Sequence, residues 1–326
     1  MENTDWETYQ ALQCSMYSEV LLDLTPTAYF SISVNVLFCI TAILGNALIL
    51  VALQKDSLLH PASKMLFRCL AVADFCVGLI TQPCFVTYLI SVVKKNGFDN
   101  CKHVTGFLHI STSLLCGISL ATVTTISVDR LLALLLGLRY RQVVTLARVR
   151  RISFLTWLTF SALNMLYFWN ARIFLTAVSC NVLSFLIVST FCYLKIYFSL
   201  RHRQRSTPGP PSVPSQVQVL KYKRTVSSAL WISISMIACY LPFTVVAAVG
   251  VTHQDPSFSV IGEGITVTLI YFNSSLNPVL YCWRIREVRR AVKATIGLFC
   301  FFCPVEGSSS CAMVLGADRP PDRKSA

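Results

Sequence analysis

The sequence predicts an all-α membrane protein, a bundle of seven transmembrane helices followed by a short amphipathic eighth helix. Three observations lead to this prediction. Of the 326 residues, 54% are hydrophobic and only 13% are charged, whereas soluble domains carry about 25% charged residues. Seven charge-poor segments follow one another, each about as long as the ~20 apolar residues that cross a bilayer. Basic residues collect on one side of these segments.

The seven segments make up a transmembrane region over residues 27–282, with ends uncertain by several residues. They run over 27–53, 62–91, 104–128, 152–168, 173–194, 225–249 and 264–282. The N-terminal region, 1–26, lacks the basic start and apolar core of a cleaved signal peptide. We therefore expect the first helix to direct insertion. An odd number of spans places the two termini on opposite sides of the membrane.

The distribution of Lys and Arg predicts the orientation. If the N-terminus is outside, Lys94, Lys95, Lys102 and Arg172 are the only extracellular residues among the 28 Lys and Arg. The others lie at the inner face and explain the net charge of +13. Because they bracket membrane spans, attraction to anionic lipid accounts for them better than nucleic-acid binding. We expect a multi-pass plasma-membrane protein with an extracellular N-terminus.

The segment after the seventh span, 283–299, alternates basic and apolar residues, which predicts an amphipathic helix on the membrane surface. Cys300 and Cys303 follow it and could carry palmitate, or they could remain free thiols. The cytoplasmic tail, 300–326, is polar towards its end and is expected to be disordered there.

Asp74 is the most informative polar residue. It lies in the middle of the second span, where a charge costs about 2.5–3.5 kcal/mol even on a lenient insertion scale, so we expect it to face the bundle interior. Its candidate partners at the same depth are Asn46, Ser119, Asn273, Ser274 and Asn277. Carboxylate, hydroxyl and amide oxygens suit a small hard cation such as Na⁺. The alternative is a hydrogen-bonded cluster without an ion, with Asp74 protonated.

Asp129 and Arg130 close the third span at its cytoplasmic end. Ser119 precedes Arg130 by about three helical turns, or about 16 Å. One face of this helix can therefore line the core at mid-depth and present Arg130 at the inner mouth. The alternative is that Arg130 only anchors the helix at the inner membrane surface.

Prolines interrupt three of the predicted helices: Pro83, Pro242 and Pro278. Proline removes a backbone hydrogen bond and permits a kink. Kinks in the sixth and seventh helices would offer hinges for a bundle with two states. Structural kinks without switching are the alternative.

A pocket is expected in the core of the bundle, because Thr112 and Cys116 share a helix face with Ser119. The set expected to line it is Thr112, Ser113, Cys116, Phe243, Thr244, Val267 and Tyr271. Plain interhelical packing is the alternative for each residue. A mainly apolar lining favours a small uncharged or lipid-like ligand over a strongly charged one.

Taken together, these residues resemble the rhodopsin-like (class A) G-protein-coupled receptors over essentially all seven helices. The motifs stand in the family's order: Gly45-Asn46, Leu70–Asp74, Asp129-Arg130-Leu131 for DRY, Trp157, Tyr193, Cys239–Pro242 for CWxP and Asn277–Tyr281 for NPxxY. Each string alone is a weak signal. All of them on the right helices and at the right spacing are a specific one.

The resemblance implies a receptor and not an enzyme. It would bind an unidentified extracellular ligand and activate heterotrimeric G proteins by nucleotide exchange. The resemblance also implies a sodium site at Asp74, Ser119, Asn273, Ser274 and Asn277, with no other metal or cofactor. It implies activation contacts at Asp129, Arg130, Tyr193, Tyr240, Pro242, Pro278 and Tyr281.

Three departures from the family pattern bear on activation. Leu131 replaces the tyrosine of DRY, Tyr240 replaces the tryptophan of CWxP, and no acidic residue at the start of the sixth helix can pair with Arg130. We therefore expect a loosely held resting state and raised basal signalling. A constitutively active coupler that needs no ligand is the alternative to a ligand-gated receptor.

Some features narrow the resemblance to a branch. The short link at about Trp169–Arg172 and a fifth helix without proline look like melanocortin, cannabinoid and lysophospholipid receptors, and other strings are similar to adenosine receptors. Their ligands do not carry over. Thr112 and Ser113 stand where an amine receptor has an acid, and Ala247 stands where adenosine receptors have an asparagine.

Cys101 begins the third helix, where the family usually bonds a cysteine of the second outer loop. That loop has none here, which leaves Cys14 as the only plausible extracellular partner. A Cys14–Cys101 disulfide would hold the N-terminal segment over the pocket, although the sequence alone does not fix the pairing.

Two other functions compete with a receptor. A transporter or channel would show duplicated halves or interrupted helices around a central site, and the sequence has no internal repeat. An intramembrane enzyme would show HExxH, GxSxG or paired catalytic aspartates, and the sequence has none of these. His109 stands alone in the third helix and is expected to be a core or pocket residue.

Overall fold

The structure is a computed structural model that describes residues 25–55, 60–94, 98–205, 231, 234–249, 256–284, 289–290 and 292–295. Seven helices, named α1 to α7, form the bundle within these residues. They are α1 (Thr25–Lys55), α2 (Pro61–Cys76, a π-helical turn at Val77–Thr81, and Gln82–Val93), α3 (Phe98–Leu136), α4 (Leu146–Trp169), α5 (Ala171–Arg205), α6 (Ile234–Val249) and α7 (Pro256–Arg284). The predicted seven-helix bundle is confirmed.

Most of the described helices have the length and composition of membrane spans. Five of them, α1 to α5, are long and apolar enough to cross a bilayer, and the described part of α6 is a shorter apolar helix. Large apolar side chains face outwards, as expected for a protein solvated by lipid. Examples are Leu44, Phe154, Ile187, Phe191 and Val279.

Several helices extend beyond the predicted spans, because a helix continues into polar sequence where no lipid demands apolar residues. α3 starts at Phe98 and α5 ends at Arg205. Between α4 and α5 only Asn170 is not helical, and its side-chain Oδ1 accepts the Ile173 N–H at 3.1 Å. The link is thus even shorter than the sequence predicts.

The prolines fit into the helices in different ways. Pro83 follows the π-helical turn Val77–Thr81, whose wider turn accommodates the missing N–H and the bulk of the ring. Pro278 lies inside α7, which continues past it to Arg284. Pro242 lies within the described helix α6.

α3 occupies the centre of the bundle, in contact with α2, α4, α5 and α7. α6 reaches α3 through Tyr240, whose hydroxyl bonds to Cys116. It also reaches α5 through Met236, which lies 3.9 Å from the Ser189 hydroxyl. We call the end of the bundle where α1, α3, α5 and α7 begin its amino end, and the opposite end its carboxyl end.

Several predictions fall wholly or partly outside the described residues. Cys14, Cys300 and Cys303 lie outside them, as do residues 225–230 of the sixth span. Cys101 and Tyr281 lie in helices, but their side chains are outside the described part. Of the predicted amphipathic segment, only the helical pieces 289–290 and 292–295 are described beyond Arg284.

Candidate functional site

The Asp74 carboxylate is fully buried between α2, α3 and α7. The Ser119 hydroxyl donates a hydrogen bond to Oδ1 at 2.7 Å, and the Asn277 side-chain amide donates to Oδ2 at 2.8 Å. Each carboxylate oxygen thus has a donor from a different neighbouring helix. This is how a polar group can be held inside a membrane bundle without a large energetic penalty.

Two more predicted residues complete this cluster from α7. The Asn273 side chain is buried close to Tyr240, and neither its oxygen nor its nitrogen has a hydrogen-bond partner among the described residues. Ser274 is close enough to Asp74 to interact with it, although its hydroxyl makes no bond of normal geometry. The cluster therefore contains, beside a carboxylate, buried oxygen atoms that can still accept a hydrogen bond or coordinate a cation.

Asn46 joins α1 to this cluster, as its position in the sequence indicated. Its side-chain amide donates to the main-chain carbonyl of Ser274 at 3.2 Å and to that of Ala42 at 2.8 Å. Asn46 therefore positions the backbone of α7. Among the described residues it forms no hydrogen bond with the Asp74 carboxylate, so it is not the direct partner that its depth in the membrane predicted.

Arg130 lies at the carboxyl end of α3 and pairs with its neighbour Asp129, with Arg130 Nη2 at 3.1 Å from Asp129 Oδ2. The Arg130 side chain is 37% exposed, while that of Asp129 is only 3% exposed. The guanidinium also lies over the Phe67 ring, 6.0 Å from its centroid, a distance suited to a cation–π contact. Arg130 is therefore held in place yet remains partly accessible.

Tyr140 and Ser63 complete the surroundings of Asp129, and sequence reasoning missed both. The Tyr140 hydroxyl donates to Asp129 Oδ1 at 2.6 Å, and the Ser63 hydroxyl donates to Oδ2 at 3.0 Å. Gly137, with φ of 52°, turns the chain after α3 so that Tyr140 returns to the helix. Ser63 could have been predicted from its depth. It precedes Asp74 by about three turns, and the same spacing separates Ser119, which contacts Asp74, from Arg130.

Tyr193 and Tyr281 were predicted to act with Arg130 in activation, and the structure describes the side chain of only Tyr193. The Tyr193 hydroxyl accepts a hydrogen bond from Ser127 on α3 at 2.6 Å. Leu131, where the family has tyrosine, is buried against α5 beside Tyr193 and Ile196. Because the Tyr281 side chain is not described, the structure does not place its contacts.

A cavity of about 1060 Å³, including its open mouth, lies towards the amino end of the bundle. Six of the seven residues predicted for a pocket line it: Thr112, Ser113, Cys116, Phe243, Val267 and Tyr271. Thr244 does not line it. Its side chain is buried and its hydroxyl donates to the Leu241 carbonyl at 2.8 Å, because consecutive helix positions face different directions.

The inner part of the cavity is closed by contacts between α3 and its neighbours. Thr112 and Tyr271 share a hydrogen bond between their hydroxyls at 2.8 Å. The Tyr240 hydroxyl donates to the Cys116 carbonyl at 3.2 Å. Ser113 also lines the cavity, and its buried hydroxyl has no hydrogen-bond partner among the described residues.

The outer part of the cavity contains a carboxylate that sequence reasoning missed. Glu263 on α7 lines the cavity together with Tyr88, Thr105 and His109. Tyr88 forms a hydrogen bond with Thr105 and lies close to Glu263. The sequence did hold a signal, because Glu263 precedes Tyr271 by eight residues and falls on the same helix face. The predicted span began one residue too late to include it.

Comparisons with known proteins find the same receptor family that the sequence motifs resemble. The family model described as "7 transmembrane receptor (rhodopsin family)" matches residues 45–281. The chain is similar to the dog adenosine receptor A3, with 23% identity covering 79% of this chain and 88% of that receptor. It is 24% identical to the human adenosine receptor A2a (81% and 71% covered) and 28% identical to the rat histamine H2 receptor (80% and 77% covered).

Proposed function

Because this chain belongs to the rhodopsin family of seven-transmembrane receptors, we propose that it binds a small organic ligand in the cavity and activates heterotrimeric G proteins at its carboxyl end. One observation carries the proposal: α3 connects the three parts of the site. Cys116 lines the cavity and accepts the Tyr240 hydroxyl. Ser119, one turn further, binds Asp74, and Arg130 lies near the carboxyl end of the same helix.

We propose that the amino end of the bundle faces the outside of the cell. This orientation opens the cavity to extracellular ligands and places the basic inner loops next to anionic lipid. It also presents Arg130, which is partly exposed, to the cytoplasm. At the plasma membrane such a receptor can bind an extracellular ligand on one side and a G protein on the other.

The Asp74 cluster is proposed to hold a sodium ion. The residues fit this ion because Asp74, Ser119, Asn273, Ser274 and Asn277 supply carboxylate, hydroxyl and amide oxygens in one buried place. The Asn273 oxygen and the Ser274 hydroxyl, which have no hydrogen-bond partner among the described residues, support the assignment, since buried polar atoms normally have a partner. When bound, the ion would neutralise the carboxylate and favour the packing of α2, α3 and α7 seen here.

Raised basal activity is proposed as a second property. Arg130 pairs with Asp129 of its own helix, and no acidic residue stands between residues 206 and 250 to hold it from α6. Leu131 packs against α5 and contributes no polar group. Few polar contacts would then stabilise the resting state. A receptor that activates G proteins without a ligand is therefore the second candidate function.

A G-protein dissociation assay in cells, run across the four Gα classes, tests the proposal. Wild type is compared with Arg130→Ala and with the matched control Arg139→Ala, an exposed arginine in the loop after α3. We expect signal above mock-transfected cells for at least one class, loss of that signal in Arg130→Ala, and little change in Arg139→Ala at equal surface expression. Equal signals from mock, wild-type and Arg130→Ala cells would overturn it.

A further inference from the structure

Two hydrogen bonds between helices occupy hydroxyl groups at the inner end of the cavity. The Tyr240 hydroxyl donates to the Cys116 carbonyl at 3.2 Å. The Thr112 and Tyr271 hydroxyls, 2.8 Å apart, share a hydrogen bond. These groups join α3 to α6 and α7, so a polar anchor for a ligand is to be sought on another wall of the cavity.

Asn181 on α5 lines the cavity and has a polar atom that is not used in this way. Its side-chain amide nitrogen donates to the Ala177 carbonyl, one turn earlier on the same helix, at 2.9 Å. Because a carbonyl can only accept, this contact identifies the nitrogen and leaves Oδ1 as the other polar atom of the side chain. Among the described residues Oδ1 accepts no hydrogen bond, and it is not one of the fully enclosed polar atoms. Asn181 therefore offers a hydrogen-bond acceptor to a bound molecule.

The contacts between α3 and α5 place this acceptor at the inner end of the cavity. The Thr124 hydroxyl lies 3.5 Å from the Phe185 carbonyl, and the two helices run in the same direction. One turn back along each helix, Leu120 and Asn181 are therefore at the same depth, and both line the cavity. The side chains of α3, α4 and α5 at this depth are all described, and none of them is acidic or basic. The surroundings of Asn181 are thus suited to an uncharged group.

An aromatic pair lies beside the acceptor. Phe185, one turn after Asn181, stacks with Phe160 of α4, with the ring centroids 6.1 Å apart and the planes inclined by 24°. Both residues line the cavity. Aromatic rings pack well against other flat apolar rings, so this end of the cavity favours an aromatic group of a ligand.

We infer that the ligand inserts a neutral aromatic ring with an O–H or N–H group, such as a phenol or an indole, which packs beside Phe160 and Phe185 and donates to Asn181 Oδ1. The inference rests on the proposed function only in taking the cavity as the ligand site. It narrows the expected uncharged ligand to one that brings a hydrogen-bond donor to α5. An ether at the same place would displace water from Oδ1 without replacing its hydrogen bond, which weakens binding.

Three probes of similar shape test the inference: 2-naphthol, 2-methoxynaphthalene and 2-methylnaphthalene. The naphthol can donate a hydrogen bond, the methyl ether can only accept one, and the hydrocarbon can do neither. The thermal unfolding of the purified full-length receptor is measured over a concentration series of each, because a ligand that binds the folded state raises its stability. We expect the naphthol to reach a given stabilisation of wild type at about three- to tenfold lower concentration than the ether, the effect of one hydrogen bond.

Substitutions of two asparagines show whether this preference depends on Asn181. Asn181→Leu removes the acceptor at similar size and should make the naphthol no better than the ether. Asn181→Ala should do the same, so the test does not depend on the folding of one variant. Asn164→Leu is the matched control, because the Asn164 amide also donates to its own helix, at 2.7 Å from the Phe160 carbonyl, but Asn164 does not line the cavity. It should keep the naphthol preference.

Four results would each overturn the inference. They are no stabilisation of wild type by any probe, equal stabilisation by naphthol and ether, a naphthol preference that survives in the Asn181 variants, and a loss of the preference in Asn164→Leu as well.

These measurements contain no G protein, so they separate this inference from the proposed coupling. A naphthol preference that depends on Asn181, in a receptor that activates no G protein, would leave the ligand class standing and overturn the coupling. Arg130-dependent coupling in a receptor without that preference would do the reverse.

Discussion

The hydroxyl of Tyr240 on α6 donates a hydrogen bond to the main-chain carbonyl of Cys116 on α3, at 3.2 Å. This contact lies between the cavity, which both residues line, and the Asp74 cluster, which begins one turn further along α3. Asn273 of that cluster is close to the same tyrosine. A rotation of α6 away from α3 would break the bond, so the bond favours the packing seen here.

Tyr240→Phe should therefore raise basal signalling. A single buried hydrogen bond contributes about 0.5–1.5 kcal/mol, so its loss shifts a two-state equilibrium by up to about tenfold. G-protein dissociation without added ligand, normalised to surface expression, measures the effect. Tyr197→Phe, a change at a part-exposed tyrosine of α5, is the matched control and should match wild type. Basal activity in Tyr240→Phe at or below wild type would count against a resting-state role for the bond.

Sodium should stabilise the receptor through Asp74. At ten times its dissociation constant an ion adds about 1.4 kcal/mol to the state that binds it. We expect a higher melting temperature in sodium chloride than in choline chloride at equal ionic strength for wild type, and no difference for Asp74→Asn. Asp129→Asn, which changes a carboxylate outside the cluster, should retain the difference. Identical wild-type melting curves in the two salts would rule out the ion.

Tyr140 and Ser63 should contribute to stability through one shared acceptor, the Asp129 carboxylate. Hydrogen bonds to a charged group contribute about 1.5–3 kcal/mol each. Tyr140→Phe and Ser63→Ala should each lower the melting temperature, while Tyr29→Phe, at an exposed position of α1, should not.

The double variant Tyr140→Phe/Ser63→Ala tests whether the two hydrogen bonds are coupled through Asp129. Groups that share a partner are coupled, so the two losses should not add. Strict additivity would contradict the coupling of the two hydrogen bonds through Asp129. No effect of Tyr140→Phe alone would show that its hydrogen bond to Asp129 does not stabilise the carboxyl end.

Gly117 should be intolerant of any side chain. A Cβ atom there would overlap the Phe160 ring, and overpacking of this kind costs about 1–3 kcal/mol. Gly117→Ala should lower the melting temperature, and Phe160→Leu in the same chain should recover part of the loss. Gly264→Ala is the matched control, because a Cβ at that helical glycine meets nothing within 4 Å. A Gly117→Ala variant as stable as wild type would mean that Phe160 moves without cost.

The number of helices and the Asp74 cluster could be predicted from the sequence because lipid imposes strong constraints. It demands long apolar segments, and it demands partners for a buried carboxylate, so Ser119 and Asn277 were identifiable by depth alone. Both donate to Asp74 in the structure.

Other contacts depend on geometry that apolar composition does not encode. Tyr140 reaches Asp129 only because the chain turns at Gly137, and no periodic pattern announces such a return. Glu263 was missed because a span defined by the lack of charge stops at the first charged residue, even where the helix continues to Pro256. Thr244 was misplaced because the spacing of residues on α6 does not fix the rotation of that helix.

The proposed coupling through Arg130 can be measured as nucleotide exchange on a purified heterotrimer of the class found by the cell assay. The receptor in lipid nanodiscs is added to the G protein, and GTPγS binding is followed for wild type, Arg130→Ala and Arg139→Ala. We expect wild type and Arg139→Ala to accelerate exchange above the rate of the heterotrimer alone, and Arg130→Ala to leave that rate unchanged. Equal exchange rates with and without the wild-type receptor, or full acceleration by Arg130→Ala, would contradict it.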